Sequence, residues 1–487
     1  MTAAAVGRIE GSVAEAAFAD AVALLRSTAV APVDRRLPLR YEVPGPAAPA
    51  STAAVGSGDG PLARALADQA AGRVSAVELA WASLDAVDAL DGPLRGMVAV
   101  DRAGALAAAG EADAARLAGR PPGPLHGIPI TVKDVIHVAG LPTRAGSAAF
   151  EEHPTVDAAG VARLRRAGAV VIGKASTHEF ALGVTSPQSR NPHDPTRIPG
   201  GSSGGSAISV ATGMALASLG TDTRASIRVP AALSGVVGLK ATLGSVPTDG
   251  VVTLSWTMDH VAPMAATVAD AALVLDVLLG DGRSLASVAA DPTLRIGVVG
   301  AASVGAEPGV AGAVAAALDA LADAGARLSS ADRPGGADLA LANAAGLVVS
   351  RCEAATIHRA MGLDRSLYWE EVAEQLRMAD GLLATDYLDA QRIRAQLAEE
   401  LLAPFADVDV LAMPTVPIVA PPADDFARHL MLLARNAIPW SFVGFPAISV
   451  PCGRVDGLPV GLQLVAPPHR EDLLVAAGRA VEEAVRP

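Results

Sequence analysis

The chain has 487 residues, of which 51% are hydrophobic, and its formal net charge is −13 at pH 7. This composition gives enough apolar material for a globular core in one large or two medium domains. The negative charge disfavours binding to nucleic acid or to an anionic membrane, so we expect neither partner. Two cysteines, Cys352 and Cys452, indicate neither a disulfide framework nor a zinc cluster.

Residues 1–60 are predicted to form a helical extension followed by a linker. The segment begins with an amphipathic helical pattern, and Arg8 and Glu10 interrupt the apolar core that a signal peptide requires. It then becomes VPGPAAPASTAAVGSGDGP, which has the Pro, Gly and Ser content of a linker. No long uncharged apolar run with clean flanks follows, so we expect a cytoplasmic protein.

Residues 61–487 are predicted to form one α/β domain. Long Ala- and Leu-rich helical patterns alternate with short β-rich runs, namely GIPITV, GAVVIG, LRIGVV, VDVLAMP and AISVP. This alternation favours a β-sheet covered by helices. Residues 336–436 are mostly helical in pattern with polar stripes, and we expect them to form a cap over the substrate pocket.

The run GGSSGGSA at 200–207 has three candidate roles, as a linker, a phosphate-binding loop or part of a catalytic centre. An Ala-rich helical stretch follows directly, which disfavours a linker. The nearest P-loop pattern, GAVVIGKA, has Ala175 after Lys174 where a metal-binding hydroxyl is required. Ser203 fits a nucleophile elbow formally, but the proline-rich segment before it cannot supply the strand that this motif needs.

A serine–lysine centre uses two further segments, GIPITVKDVI with Lys133 and GTDTRASIRVP with Ser226. Lys133 follows an apolar run, and burial favours the neutral amine, which is a base. A serine becomes a nucleophile when a base takes its proton, and serine–lysine arrangements achieve this without histidine. Simpler roles stay open, since Lys133 can pair with Asp134, Ser202 can cap a helix and Ser226 can lie in a turn.

Together, LHGIPITVKD, PGGSSGGSA and GTDTRASIR make the chain resemble the amidase signature family from about residue 61 to the C-terminus. The resemblance implies a mixed central β-sheet flanked by α-helices on both faces. It also implies that Lys133 is the base, that Ser202 is a bridging serine preceded by a cis peptide, and that Ser226 is the nucleophile. No metal or organic cofactor is implied.

The implied function is hydrolysis of the C–N bond of a small amide, carbamate or urea-like compound through an acyl-enzyme. Two alternatives stay open: the transamidating subunit of a tRNA-dependent amidotransferase, which works with partner chains, and a non-catalytic member of the family. The expected partner is a small-molecule amide. A homodimer is common in the family, and the sequence leaves the oligomeric state open.

The sequence departs from the family pattern directly before the nucleophile, where Arg224 and Ala225 replace two glycines. The backbone N–H groups from Thr223 to Ser226, beside Gly201, are expected to hold the oxyanion and contact substrate. Three outcomes are open. In the first, the loop adopts ordinary backbone angles and still offers its amides, with Arg224 pointing into structure. In the second, Arg224 reaches the pocket and pairs with a carboxylate or carbonyl, and in the third the enzyme is weakened or inactive.

Acidic and basic residues near the nucleophile have structural interpretations as well. Arg228 is a second candidate for binding an anion, although a salt bridge with Asp222 is its simpler role. Asp222 and Asp259 are expected to accept hydrogen bonds that organise the loops.

Overall fold

The computed structural model describes residues 16–28, 43, 60–301, 303–331, 334 and 337–486. Residues 16–27 form a helix, α1, within the predicted N-terminal extension. Apart from residues 43 and 60, the predicted linker lies outside the described residues, so the domain boundary at residue 60 stays a prediction. None of the helices described is long and apolar enough to cross a bilayer, and the cytoplasmic location stays a prediction.

One mixed sheet of 11 strands organises the described part of the chain, in the order β1-β3-β2-β4-β6-β5-β10-β11-β9-β7-β8. Strand β2 is parallel to β3 and β4, strand β7 is parallel to β8 and β9, and the other pairs are antiparallel. The strands are Met97–Val100 (β1), Pro129–Lys133 (β2), Val170–Ala175 (β3), Ala217–Asp222 (β4), Val237–Lys240 (β5), His260–Ala265 (β6), Arg295–Val298 (β7), Arg327–Ser330 (β8), Val410–Pro414 (β9), Ala447–Val455 (β10) and Leu458–Val465 (β11).

The helices that follow α1 cover this sheet. They are Pro61–Ala70 (α2), Ala76–Leu94 (α3), Arg102–Leu117 (α4), Ala159–Arg166 (α5), Gly204–Ala211 (α6), Arg228–Ser234 (α7), Val268–Leu279 (α8), Pro308–Asp323 (α9), Leu339–Met361 (α10), Glu370–Asp380 (α11), Ala384–Leu402 (α12), Leu430–Leu433 (α13), Ile438–Phe442 (α14) and Glu471–Ala484 (α15). Long helices occupy most of the segment predicted as a helical cap, which also contains β9.

Helices lie on both faces of the sheet, as strand β6 illustrates. Successive side chains of a strand point to opposite faces. Val261 and Ala265 belong to the core cluster that includes α8, whereas Ala262 and Met264 belong to the cluster that includes α6 and α7. The predicted α/β class, with a mixed central sheet flanked by helices on both faces, is therefore confirmed.

The sheet brings the chemically distinctive segments to one edge. Strands β2 and β4 are parallel neighbours, with Val132 opposite Leu219, so their carboxyl ends lie side by side. Strand β2 ends at Lys133, and β4 ends at Asp222, directly before the loop that carries Ser226. The Gly/Ser run ends at α6, which packs against β4.

Candidate active site

Lys133 lies at the carboxyl end of β2, where every residue of the strand is buried. Its Nζ donates hydrogen bonds to Ser202 Oγ at 2.7 Å and to Thr221 Oγ1 at 2.8 Å. The nearby Asp134 pairs instead with Lys174, at 2.9 Å. The simpler role considered for Lys133, a salt bridge with Asp134, is therefore not adopted.

Burial lowers the pKa of Lys133 from 10.5 to about 7, although the charges of Asp222 and Asp259 oppose this shift. The ammonium ion loses hydration inside the protein, and two hydroxyl oxygens replace that hydration incompletely. A substantial fraction of Lys133 is therefore the neutral amine at neutral pH, as the apolar run before it predicts.

The Gly/Ser run is a tightly packed loop rather than a linker, because residues 199–210 are all buried. The peptide bond between Gly201 and Ser202 is cis. A Cβ atom at Gly201 would lie 1.9 Å from the carbonyl oxygen of Thr185, so only glycine fits there. The close approach of this neighbouring backbone explains the glycine next to Ser202.

Ser226 lies beside this loop and is 4% exposed. Its carbonyl oxygen accepts a hydrogen bond from the N–H of Ser203 at 3.3 Å. Within the described residues, no hydrogen bond joins Ser226 Oγ to Ser202 Oγ. A side-chain hydrogen bond therefore joins Lys133 to Ser202. Ser226 is joined to the Gly/Ser run by a backbone hydrogen bond, at Ser203.

The loop from Thr223 to Ser226 presents unused hydrogen-bond donors. In the described part of the chain, none of its four backbone N–H groups has a hydrogen-bond acceptor, whereas the next N–H, of Ile227, donates to Asp222 Oδ2 at 3.3 Å. Neither Arg224 nor Ala225 has a positive φ. The backbone angles and free amides agree with the first outcome left open by the sequence, whereas Arg224 differs from it, because its side chain lines a cavity.

Two carboxylates hold this loop. Thr223 Oγ1 donates to Asp259 Oδ1 at 2.6 Å, and Asp259 Oδ2 accepts from the N–H groups of Leu254 and Ser255. Burial raises the pKa of Asp259 to about 6, although these hydrogen bonds oppose the rise. Asp222 holds the other end of the loop by accepting a hydrogen bond from the N–H of Ile227. Both aspartates thus act as the loop-organising acceptors that the sequence predicts.

Arg228 is fully committed to structural contacts. Its Nε donates to Asp222 Oδ2 at 3.0 Å, and both side chains are fully buried. Its other nitrogens donate to Gln463 Oε1, to the carbonyl oxygen of Ala437 and to Ser441 Oγ. Burial alone would raise the pKa of Asp222, but Arg228 outweighs it and holds that pKa well below 3.8. Of the two predicted roles of Arg228, the salt bridge is the one adopted.

A cavity of about 440 Å³ adjoins the loop at Arg224, and Lys133, Ser202 and Ser226 do not line it. The sequence did not identify the cavity residues Arg351 and Glu371, because no motif surrounds them and they are far from the loop in sequence. The cavity walls come mainly from α1, α10 and α11, among them Phe18, Ala21, Asn343, Leu347, Arg351, Glu371, Gln375 and Met378. Residues of the predicted helical cap therefore shape this cavity.

Helix α1 covers one side of the cavity and is anchored to the cap. Phe18 and Ala21 pack against Ala344 and Leu347 of α10. Arg26 donates two hydrogen bonds to the carboxylate of Asp386, from Nε to Oδ1 at 2.9 Å and from Nη2 to Oδ2 at 2.7 Å. The extension that lies outside the sequence resemblance thus contributes directly to the neighbourhood of the candidate site.

A family model, curated proteins and solved structures each match most of the chain. Residues 78–475 match the family model described as Amidase. The A subunit of glutamyl-tRNA(Gln) amidotransferase from Chloroflexus aurantiacus is 39% identical over 461 residues, covering 85% of this chain and 94% of that protein. The protein of the same name from Salinispora tropica is 36% identical, covering 86% of this chain and 96% of that protein. A crystal structure described as an amidase is 33% identical with a TM-score of 0.82, covering 87% of this chain and all of that one (100%).

These relatives correct the prediction made from net charge. Their name describes part of an enzyme that acts on a transfer RNA, so the prediction that excludes a nucleic-acid partner is wrong. Net charge averages over the whole surface, and it does not report what a local site or an associated chain binds.

Proposed function

Because the chain belongs to the amidase signature family, we propose that it cleaves the C–N bond of an amide through an acyl-enzyme on Ser226. The observation that carries this proposal is the 2.7 Å hydrogen bond from buried Lys133 to Ser202, beside a loop with unused N–H donors. Neutral Lys133 takes the proton of Ser202, and Ser202 takes that of Ser226 as Ser226 Oγ attacks the carbonyl carbon.

The negative charge that develops on the carbonyl oxygen is held by the N–H groups of residues 223–226. The relay then reverses, so that the proton on Lys133 returns through Ser202 to the leaving nitrogen as the C–N bond breaks. Water, deprotonated by the same relay, attacks the acyl group on Ser226 and releases the acid. The atoms balance as amide plus water giving acid plus amine or ammonia.

The lowered pKa of Lys133 predicts the pH dependence of this reaction. Its pKa is shifted down to about 7, and the neutral base exists above that value, so the rate of the chemical step rises with pH through about 7 and then levels off. The measurement is the single-turnover rate from about pH 5.5 to 9. A rate that is flat over this range, with chemistry limiting, would remove Lys133 from the role of base.

Within this chemistry, we propose that the chain is the amide-hydrolysing subunit of a tRNA-dependent amidotransferase. Two curated relatives with this name are 39% and 36% identical and are covered almost completely, to 94% and 96% of their length. In this function, Ser226 releases ammonia from an amide donor. Partner chains use ATP to activate the side-chain carboxylate of an aminoacyl group on tRNA, and the ammonia then replaces the activated oxygen, which leaves as phosphate.

A second candidate, a stand-alone amidohydrolase, is favoured by one specific observation. The structure described as an amidase is matched over its whole length (100%) with a TM-score of 0.82. This candidate requires that the purified chain release ammonia or an amine from an amide by itself.

The two candidates are separated by nitrogen transfer. The tagged chain is purified from its own source with any associated subunits and is supplied with an amide donor labelled with ¹⁵N, with glutamyl-tRNA, and with ATP and Mg²⁺ to activate the carboxylate that accepts the ammonia. The amidotransferase predicts ¹⁵N in the aminoacyl group, and a Ser226→Ala complex with the same subunits transfers none. Ammonia release by the chain alone, with no transfer in the presence of copurified chains, supports the stand-alone enzyme instead.

A further inference from the structure

The cavity beside the nucleophile loop contains two guanidinium groups that come from distant parts of the chain. Arg224 extends from the loop and Arg351 from α10, and both line the cavity. Arg351 is only 4% exposed, and Arg224 is partly exposed. The Nε atoms of both side chains are buried and have no hydrogen-bond partner among the described residues.

Neither guanidinium group is neutralised by the part of the protein that the structure describes. Within it, Arg351 donates one side-chain hydrogen bond, from Nη2 to the carbonyl oxygen of Leu182 at 3.5 Å; Arg224 donates none, and neither arginine has a carboxylate oxygen within 4.0 Å. Burial, and then the charge of Arg351, lower the pKa of Arg224 to about 9. Burial also lowers the pKa of Arg351 to about 10, against the opposing charge of Glu371.

The other charged groups of the cavity are already engaged or lie at its rim. Glu371 accepts from Gln375 Nε2 at 2.7 Å and lies 3.3 Å from His178 Nε2. Arg435 donates to the carbonyl oxygen of Val304, and Asp20 is on the exposed side of α1. Glu371 attracts Arg351 from a distance, but two like charges that face one cavity with no carboxylate in direct contact are costly, and an anion between them lowers that cost.

We propose that Arg224 and Arg351 form a subsite for a carboxylate of the substrate, so that the enzyme selects amides that also carry a carboxylate group. This inference rests on the proposed function, because it names the substrate class of the same site. A guanidinium group presents paired N–H donors that match the two oxygens of a carboxylate. The family pattern has glycine where this chain has Arg224, so Arg224 is a feature of this chain that the shared chemistry does not require.

Arg224 lies close to the nucleophile along the chain. Arg224 and Ser226 are two residues apart, so their Cα atoms are at most about 7 Å apart. The Arg224 side chain therefore starts from the same short loop as the nucleophile and extends into the cavity of about 440 Å³. Short amides of dicarboxylic acids are the probes that test whether one molecule can reach both groups.

The kinetic test compares the monoamide of glutaric acid with the methyl ester of the same monoamide, which is isosteric at the amide and uncharged. We expect the wild-type kcat/KM to be higher for the acid. Arg351→Gln and Arg224→Gln are each expected to reduce this preference about 10- to 100-fold, the size expected for losing charged hydrogen bonds. Arg351→Lys should recover part of it, because the charge remains without the paired donors.

Arg435→Gln is the matched control, since Arg435 lines the same cavity but is bound to the backbone at Val304. This variant should keep the preference for the acid. A wild-type enzyme that hydrolyses both amides equally well, or a preference that neither arginine variant changes, would overturn the carboxylate subsite while leaving the proposed amidase function in place.

A binding measurement distinguishes this failure from failure of the proposed function. Glutarate is titrated calorimetrically into wild-type and Arg351→Gln proteins, with dimethyl glutarate as the neutral probe. We expect the wild type to bind glutarate and not dimethyl glutarate, and we expect Arg351→Gln to weaken glutarate binding at least about tenfold. Glutarate binding without turnover or serine labelling would contradict the proposed function and keep the subsite. No saturable glutarate binding at millimolar concentration would contradict the subsite.

Discussion

Replacement of Ser226 by alanine is expected to lower amide turnover by about 10⁴-fold or more, and to abolish the covalent adduct with a fluorophosphonate probe. No other group in the proposed mechanism attacks the carbonyl carbon, so the relay from Lys133 through Ser202 then has no nucleophile to activate. The adduct is located by mass spectrometry of the intact protein and its peptides. The same probe on Lys133→Met should react far more slowly, since the nucleophile remains but its base is lost.

Ser206→Ala is the matched control for this experiment. Ser206 is also a buried serine of the Gly/Ser run, it lies in α6, and its Oγ has no hydrogen-bond partner in the described part of the chain. Its loss should therefore leave turnover and labelling close to those of the wild type. An adduct that persists on Ser226→Ala, or that is found on Ser202 in the wild type, would assign the nucleophile to a different serine.

The local sequence predicts the candidate site well where one strand or one loop determines the geometry. The apolar run before Lys133 predicts a buried strand end, and the structure gives it burial and a lowered pKa. The glycine before Ser202 is explained by the carbonyl oxygen of Thr185, which would lie only 1.9 Å from the Cβ atom of any other residue at this position. This contact joins segments 16 residues apart, and the sequence pattern gives the requirement for glycine without showing its cause.

Other features depend on packing between distant segments, which local periodicity does not encode. Thr221 contacts Lys133 because β2 and β4 are parallel neighbours in one particular register. Arg351 and Arg224 line one cavity because α10 forms part of the cavity wall beside the nucleophile loop. The partner prediction failed for a related reason, since net charge is a property of the whole chain and substrate recognition depends on one site.

Breaking the buried pair of Asp222 and Arg228 is expected to destabilise the protein far more than breaking an ion pair at its surface. Both side chains are fully buried at a separation of 3.0 Å. Arg228→Met leaves the carboxylate of Asp222 in the interior without its main counter-ion, and we expect a loss of about 3 to 5 kcal/mol. The measurement is the free energy of unfolding in urea, followed by circular dichroism under conditions where unfolding is reversible.

Two variants separate the uncompensated charge from the loss of side-chain packing. In Asp222→Asn/Arg228→Met, neither charge remains, and the double variant should be more stable than Arg228→Met alone because no unpaired carboxylate is buried. Arg102→Ala removes the partner of Asp88 from a solvent-exposed ion pair at 2.6 Å, and it should change stability little because water and salt screen such pairs.

If Arg228→Met and Arg102→Ala destabilised the protein equally little, Asp222 would not depend on Arg228 to stay charged. The N–H of Ile227 and the hydroxyl of Ser441, which also donate to Asp222, would then suffice to hold the carboxylate, and with it the end of the nucleophile loop.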